Sequence, residues 1–258
     1  MRSCADGTRM TDIQKEVAFF DAFAEQGDYD VLAEKAYERL LSFFRDLAHP
    51  KPGDTAIDLG CGSGALTRRL RPFSLGVTGM DISSGLIKRA KEQATTETYA
   101  VGDIRSTGFP DASFDHVLYS GVLHHFDTRT SRVETLREGF RILKPGGHLW
   151  AFDPNLHSPS MWLYRDPRSP LFSEEGKTEN EVLLTRAMLT SEINEAGFRS
   201  VAVRGVSGTP FRYVAGRFAR VILPAYNVYE QVIRFSGFER ALGTFLVSVA
   251  RKPGAGDS

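Results

Sequence analysis

The sequence predicts a doubly wound α/β domain built on seven strands, and three observations carry that prediction. From Thr55 onward, short apolar runs alternate with amphipathic stretches, the pattern of strands joined by crossover helices. The junctions have suitable turn chemistry: Lys144-Pro145-Gly146-Gly147 breaks a helix and launches a strand, and Ala196-Gly197-Phe198 does the same. The chain has 258 residues, 41% hydrophobic and 25% charged, enough for one large core or a core with a cap.

In chain order, residues 1–50 read as an N-terminal helical segment with helices over 13–27 and 30–48. Within the second, Val31-Leu32, Lys35-Ala36, Leu40-Leu41 and Phe43-Phe44 recur near the 3.6-residue period, and Pro50 and Pro52 stop it. The α/β part spans 51–252. Its strands are expected at Thr55–Leu59, Leu75–Met80, Glu97–Val101, Phe114–Tyr119, Gly147–Phe152, Arg199–Val206 and Thr244–Arg251. Helices are expected over 64–71, 83–94, 129–143 and 189–196. Regular alternation implies a parallel sheet with helices on both faces. Two stretches interrupt it, at about 154–187 and 207–240, and both are rich in aromatic residues. Excursions after such strands are expected to be lids, because ligands bind at the strands' carboxyl ends. Residues 1–10 and 253–258 read as flexible tails.

Composition excludes several classes. Lys+Arg and Asp+Glu balance at 32 each, which removes the electrostatic reason to expect nucleic-acid binding. Cys4 and Cys61 alone make neither a disulfide framework nor a metal cluster, so no metal is expected. No apolar run approaches the ~18 residues of a membrane span, and the first residues lack the apolar core of a secretory signal. A cytoplasmic protein is expected.

The first chemical motif is Thr55-Ala-Ile-Asp-Leu-Gly-Cys-Gly-Ser-Gly-Ala65, an apolar strand running into Gly60, Gly62 and Gly64. Glycines there let a ligand touch the backbone and let the chain turn sharply into a helix. Asp81 ends the next strand, 21 residues beyond Gly60, where a carboxylate can accept hydrogen bonds from a ribose diol. Gly60-x-Gly62-x-x-Ala65 also satisfies the dinucleotide pattern, so the glycines alone leave the cofactor open. The loop has no lysine, which a phosphate-binding loop would usually want.

Gly102-Asp103-Ile104 follows the third strand, Lys144–Gly147 precedes the fifth, and Thr244–Lys252 closes the chain as a strand. Together these resemble the class I methyltransferases that use S-adenosylmethionine, in their small-molecule type. The likeness is strong over about 50–155 and loose over 187–252. It implies a Rossmann-like fold and S-adenosylmethionine as cofactor. It also implies cofactor contacts residue by residue: Asp58, Gly60, Cys61, Gly62 and Gly64 along the methionine and ribose. Asp81, with Ile82 beside it, would take the ribose hydroxyls, Asp103 and Ile104 the adenine, and Tyr119 would border the site.

Beyond the fourth strand lies Tyr119-Ser120-Gly121-Val122-Leu123-His124-His125-Phe126-Asp127. Adjacent histidines near the expected methyl position are candidate bases, because imidazole titrates near pH 6.5. The resemblance implies the same, since many small-molecule members carry a His-His pair there. His125 is the first choice, with Asp153 from the fifth strand orienting it, and His124 is expected to point elsewhere. The segment also lacks the Asn/Asp-Pro-Pro-aromatic motif of enzymes that methylate nucleobase amines. The expected reaction is methyl transfer to a hydroxyl oxygen of a small, partly apolar acceptor. Transfer to carbon, then to an amine, of a small or lipid-like acceptor are the alternatives. A non-catalytic S-adenosylmethionine-binding protein is the competing class, and Asp103 and the Pro-Gly-Gly turn disfavour a nicotinamide oxidoreductase.

Residues 204–240 hold six arginines against two glutamates. Val214, Phe218, Val221 and Ile222 at helical spacing suggest an ordinary amphipathic cap helix, with a membrane-surface helix as the alternative. The oligomeric state is open at this level.

Overall fold

Seven strands form one sheet in the order β3-β2-β1-β4-β5-β7-β6. The computed structural model describes residues 12–26, 30–169, 178, 181–212, 217–254 and 256. The elements run α1 (Asp12–Gln26), α2 (Glu34–Ala48), β1 (Thr55–Leu59), α3 (Ala65–Arg68), β2 (Gly76–Asp81) and α4 (Ser84–Glu92). They continue with β3 (Thr98–Val101), β4 (Phe114–Ser120), α5 (Arg129–Ile142), β5 (Leu143–Pro154), α6 (Pro159–Arg165) and α7 (Arg186–Glu195). The chain closes with β6 (Arg199–Val206), α8 (Arg217–Phe235), α9 (Glu239–Leu242) and β7 (Phe245–Arg251). The expected tails fall largely outside the described residues.

Alternation along the strands builds two apolar layers. Leu118 and Trp150 face one side of the sheet, where α2 covers them with Leu40 and Phe44. Val117, Tyr119 and Leu149 face the other, under Leu136 of α5 and Ile193 of α7. Full burial of a side chain such as Phe44 contributes about 1.5–3 kcal/mol. The second N-terminal helix is therefore a structural layer of the sheet.

The expectation of a parallel sheet holds through β5 and fails at β7, which pairs antiparallel with both β5 and β6. The second excursion leaves β6 at Val206 and returns opposite it at Phe245, so the chain re-enters the sheet from the end it left. Close packing makes that return feasible. A Cβ on Gly243 would sit 2.3 Å from the Val206 backbone nitrogen, and one on Gly205 would sit 2.4 Å from the Glu239 carbonyl oxygen. The fifth strand begins earlier than expected. Leu143 already pairs with Phe114, and the Pro-Gly-Gly turn is absorbed where the register shifts before His116.

β1 lies between β2 and β4, so successive strands run one way from β1 and the other way from β4. That reversal opens a crevice at the carboxyl ends of β1 and β4, where such folds bind ligands. The glycine loop follows β1 and the histidine pair follows β4, so the topology brings both motifs to one place.

Candidate active site

The cradle starts with backbone geometry. Gly60, Gly62 and Gly64 have φ of +77°, +53° and +76°, a region where a side chain is strained. Space is also denied: a Cβ at Gly60 would lie 2.5 Å from Val122 Cγ2, and one at Gly64 2.5 Å from the Tyr99 hydroxyl. The loop is thus pressed against the turn that carries the histidines.

Asp58 is fully buried and accepts hydrogen bonds from Thr67 Oγ1 at 2.7 Å and Ser120 Oγ at 2.5 Å, tying β1 to α3 and β4. Burial pushes its carboxyl up to about 6, against the opposing effect of those hydroxyls. Asp81 accepts from the Gly62 amide at 2.8 Å with one oxygen and from the Ser83 amide at 2.9 Å with the other. Burial raises its pKa also. A carboxylate offers about four acceptor sites, so Asp81 keeps capacity for a diol. Asp21 of α1 accepts from Ser83 Oγ at 2.5 Å and the Gly85 amide at 3.0 Å, a third carboxylate at this end of the cradle. Such clustering, with burial opposing ionisation, fits a cationic ligand without phosphate.

The other expected contacts fall in different places. Cys61 lies buried beneath the loop, its thiol pushed up by burial and by Asp81 and Asp58. Ile82 is partly buried beside Asp81 and Ile104 is buried. Asp103 is half-buried and ion-paired to Arg105 at 2.6 Å. Burial alone would raise its pKa, but the Arg105 guanidinium holds it below the ordinary value. Tyr119 departs from expectation. Its ring is fully buried under α5, its hydroxyl donates to the Thr135 carbonyl at 2.7 Å, and it fills the space over Gly139. That side chain belongs to the core and not to the cradle, because residue 119 faces the α5 layer.

On the acceptor side, β4 ends at Ser120, and Gly121 (φ +67°) leads into a 3-10 turn over Leu123–His125, anchored by buried Leu123. His124 Nδ1 lies 3.0 Å from Asp153 Oδ1, and the same oxygen accepts the His124 amide at 3.1 Å. Asp153 is fully buried, its other oxygen has no hydrogen-bond partner among the described residues, and burial raises its pKa despite His124. Donation from Nδ1 fixes the tautomer in which Nε2 carries the free lone pair. The ring edge is near the strand end: a Cβ at Gly121 would lie 4.0 Å from His124 Cε1.

His125 lies beside that ring but has other partners. Its Nδ1 lies 3.1 Å from Thr178 Oγ1 and 3.7 Å from Glu16 Oε2, and Phe20 packs edge-on at 5.4 Å. Burial, then neighbouring His124 and Arg165, push its pKa well below 6.5. The expected pairing is therefore corrected: Asp153 orients His124, not His125. The two rings lie side by side, centroids 4.2 Å apart, but only His124 reaches the carboxylate at the end of β5.

Sequence reasoning missed several groups that the fold brings in. Glu16, Phe20 and Asp21 make α1 a wall of the site, and Thr178 comes from the first excursion. The Val182 amide donates to the His124 carbonyl at 2.8 Å, which lays that excursion along the histidine turn. Glu181 joins His124 and His125 with ligand atoms all within 4.8 Å of one another. The sequence shows no metal-ligand spacing, so this cluster too was illegible there. The only available signal was the aromatic and polar texture of the excursions.

The switch-point crevice, its glycine loop and its buried carboxylates define a Rossmann-like enzyme for a cationic nucleoside ligand. Comparison with known proteins agrees. A family model described as a methyltransferase domain matches residues 57–151. An uncharacterized methyltransferase of Synechocystis sp. is 31% identical over 172 residues, covering 66% of this chain and 79% of that one. A probable tRNA methyltransferase 9B of Mus musculus is 33% identical over 127 residues, 47% of this chain and 27% of its own. A malonyl-[acyl-carrier protein] O-methyltransferase of Erwinia pyrifoliae is 33% identical over 134 residues, 51% and 48% of the two chains. The chain spans about half or less of these last two relatives. Among solved structures, the Haemonchus contortus phosphoethanolamine N-methyltransferase 2, with phosphomonomethylethanolamine and S-adenosylhomocysteine, has a TM-score of 0.66. It is 20% identical, over 95% of this chain and 61% of that one, a likeness of fold. The chain belongs to the class I S-adenosylmethionine-dependent methyltransferases, and S-adenosylmethionine is its cofactor.

Proposed function

We propose that this enzyme methylates a hydroxyl oxygen of a small, partly apolar acceptor, with His124 as the base and Asp153 as its positioning residue. The observation that carries the proposal is the 3.0 Å contact from His124 Nδ1 to the fully buried Asp153 carboxylate. It is the arrangement of an acid–base pair, in the turn after β4 whose Val122 is pressed against Gly60 of the glycine loop. The cofactor supplies a methyl group on a sulfonium, which is already an activated leaving group. The loop from Asp58 to Gly64 lines its methionine and ribose, Asp81 takes the ribose hydroxyls, and Asp103 and Ile104 border the adenine. Alignment by such walls is worth ~7–11 kcal/mol in favourable cases. His124 Nε2 removes the hydroxyl proton, and Asp153 stabilises the imidazolium that results. His125, held neutral by burial, shapes the pocket with Phe20. The O-methyltransferase among the relatives supports oxygen as the methylated atom.

The test uses a panel of hydroxylated acceptors and deuterated-methyl cofactor. His124→Ala should lower kcat by about 10²–10⁴-fold while S-adenosylhomocysteine affinity holds within a few-fold. The wild-type rate should rise with pH through an ionisation that the variant lacks. Label on carbon or nitrogen in the product, or a variant with full kcat, overturns the reading.

A further inference from the structure

α8 is apolar on its outer face as well as on its inner one, where Ile233 is buried and Tyr226 packs on Phe211. Inward it sends Glu230, fully buried, whose carboxylate accepts from the hydroxyls of Thr209 and Thr244. Outward it sends apolar side chains: Val221 is 80% exposed, Val228 65%, Val232 60% and Phe235 78%. With exposed Ala225 the spacing is four, three, four, three, which lays them in one stripe along the helix. Phe238, just beyond, is also exposed.

Charge follows the same division. Residues 217–242 contain four arginines and two acids, and both acids face the protein. Glu230 is buried, and Glu239 takes Arg39 at 3.0 Å and the Ser207 amide at 2.9 Å. Arg234 lies over the Phe235 ring at 5.2 Å, and Arg240 is exposed. Among the described side chains, the outward face of α8 is apolar with no carboxylate, and the four arginines leave residues 217–242 with a net positive charge.

We propose that this face docks on the surface of an anionic lipid bilayer. The apolar stripe enters the boundary between headgroups and acyl chains, and the arginines meet lipid phosphates. No helix among the described residues is long and apolar enough to cross a membrane, so the helix lies along the surface. A second copy of the chain fits worse: a two-fold interface sets this segment, net positive with both its acids turned to the protein, against itself. The proposal is independent of the acceptor and of the methylated atom.

Co-sedimentation with vesicles tests it, comparing phosphatidylcholine alone with equal parts of phosphatidylcholine and phosphatidylglycerol. The protein should favour the anionic vesicles by roughly tenfold or more, because each surface arginine adds to the attraction, and high salt should weaken that preference. Val228→Asp/Phe235→Asp, at exposed positions, should abolish it while thermal stability and S-adenosylhomocysteine binding stay unchanged. Equal, salt-independent sedimentation with both vesicles overturns the proposal, as does no sedimentation with either. Light scattering that shows a dimer made monomeric by the same variant assigns the face to self-association and also overturns it.

Discussion

Replacing Asp153 by Asn should separate activity from stability in opposite directions. The carboxylate is fully buried, makes both its contacts to His124 through one oxygen, and has no hydrogen-bond partner for the other among the described residues. Burial raises its pKa above the ordinary carboxylate value, so at pH 7 the folded state bears a cost for keeping the charge. Asparagine has the same shape without the charge and can still accept the two His124 donors. The melting temperature should therefore hold or rise. Catalysis should fall, because the imidazolium loses its counter-charge when the proton arrives. At about 1.36 kcal/mol per tenfold, a hundredfold fall in kcat corresponds to roughly 2.7 kcal/mol, within reach of one charged hydrogen bond of ~1.5–3 kcal/mol. Scanning fluorimetry and steady-state kinetics on one preparation check both halves. A variant that melts lower and keeps its kcat and pH profile would refute the argument, since Asp153 would then only support the turn.

Other perturbations follow from the same geometry. Asp81→Ala should weaken S-adenosylhomocysteine binding about 10- to 100-fold by calorimetry, the worth of one charged acceptor. Arg132 and Glu192 form a buried bidentate pair at 2.9 and 2.7 Å, and Arg132 also holds the Phe126 carbonyl at 2.7 Å. Arg132→Met should cost about 3–5 kcal/mol in urea unfolding by stranding Glu192, and a double change to apolar residues should recover much of it. Acidification should remove stability in two stages, the first opposed by Asp58, whose raised value of about 6 makes its protonation favour the fold below that pH. His148, kept neutral by burial and by His116 and held at about 4, gives stability that is present above pH 6.5 and lost as pH falls to about 4. Glu97, held at about 2 by Arg71, loses its contribution between about 4.5 and 2. His148→Gln should flatten only the first stage. Activity should survive EDTA; loss on chelation, restored by one divalent ion, would place a metal at His124, His125 and Glu181.

Local rules made much of the fold legible. All seven strands read as apolar runs between turn residues, and the strand running into three glycines located the cofactor loop. Glycine at φ near +70° and a carboxylate at a strand end are requirements of a few neighbouring residues, so they are written in a few neighbouring residues. Excess arginine in the second excursion was also visible as composition.

What local rules could not decide depended on residues far apart in the chain. Asp153 meets His124 because β4 and β5 pair Ser120 with Phe152, which sets residue 153 just past the end of β4. The choice between two adjacent histidines needed that register and the short 3-10 turn. Tyr119 reads as a site residue by position, yet the pleat turns it under α5. β7 reads as one more strand, and only the return of the chain beside Val206 reverses it. The sequence of α8 allows either face to be buried; the hydrogen bonds of Glu230 and the packing of Tyr226 and Ile233 chose one and left the valines outside. The sequence by itself determined the strands and the glycine loop, because each rests on backbone conformation or periodicity within a short window, and the cofactor class followed from the family resemblance those motifs carry. The tertiary structure alone decided which histidine is oriented and which face of α8 is exposed, because both depend on long-range register and burial.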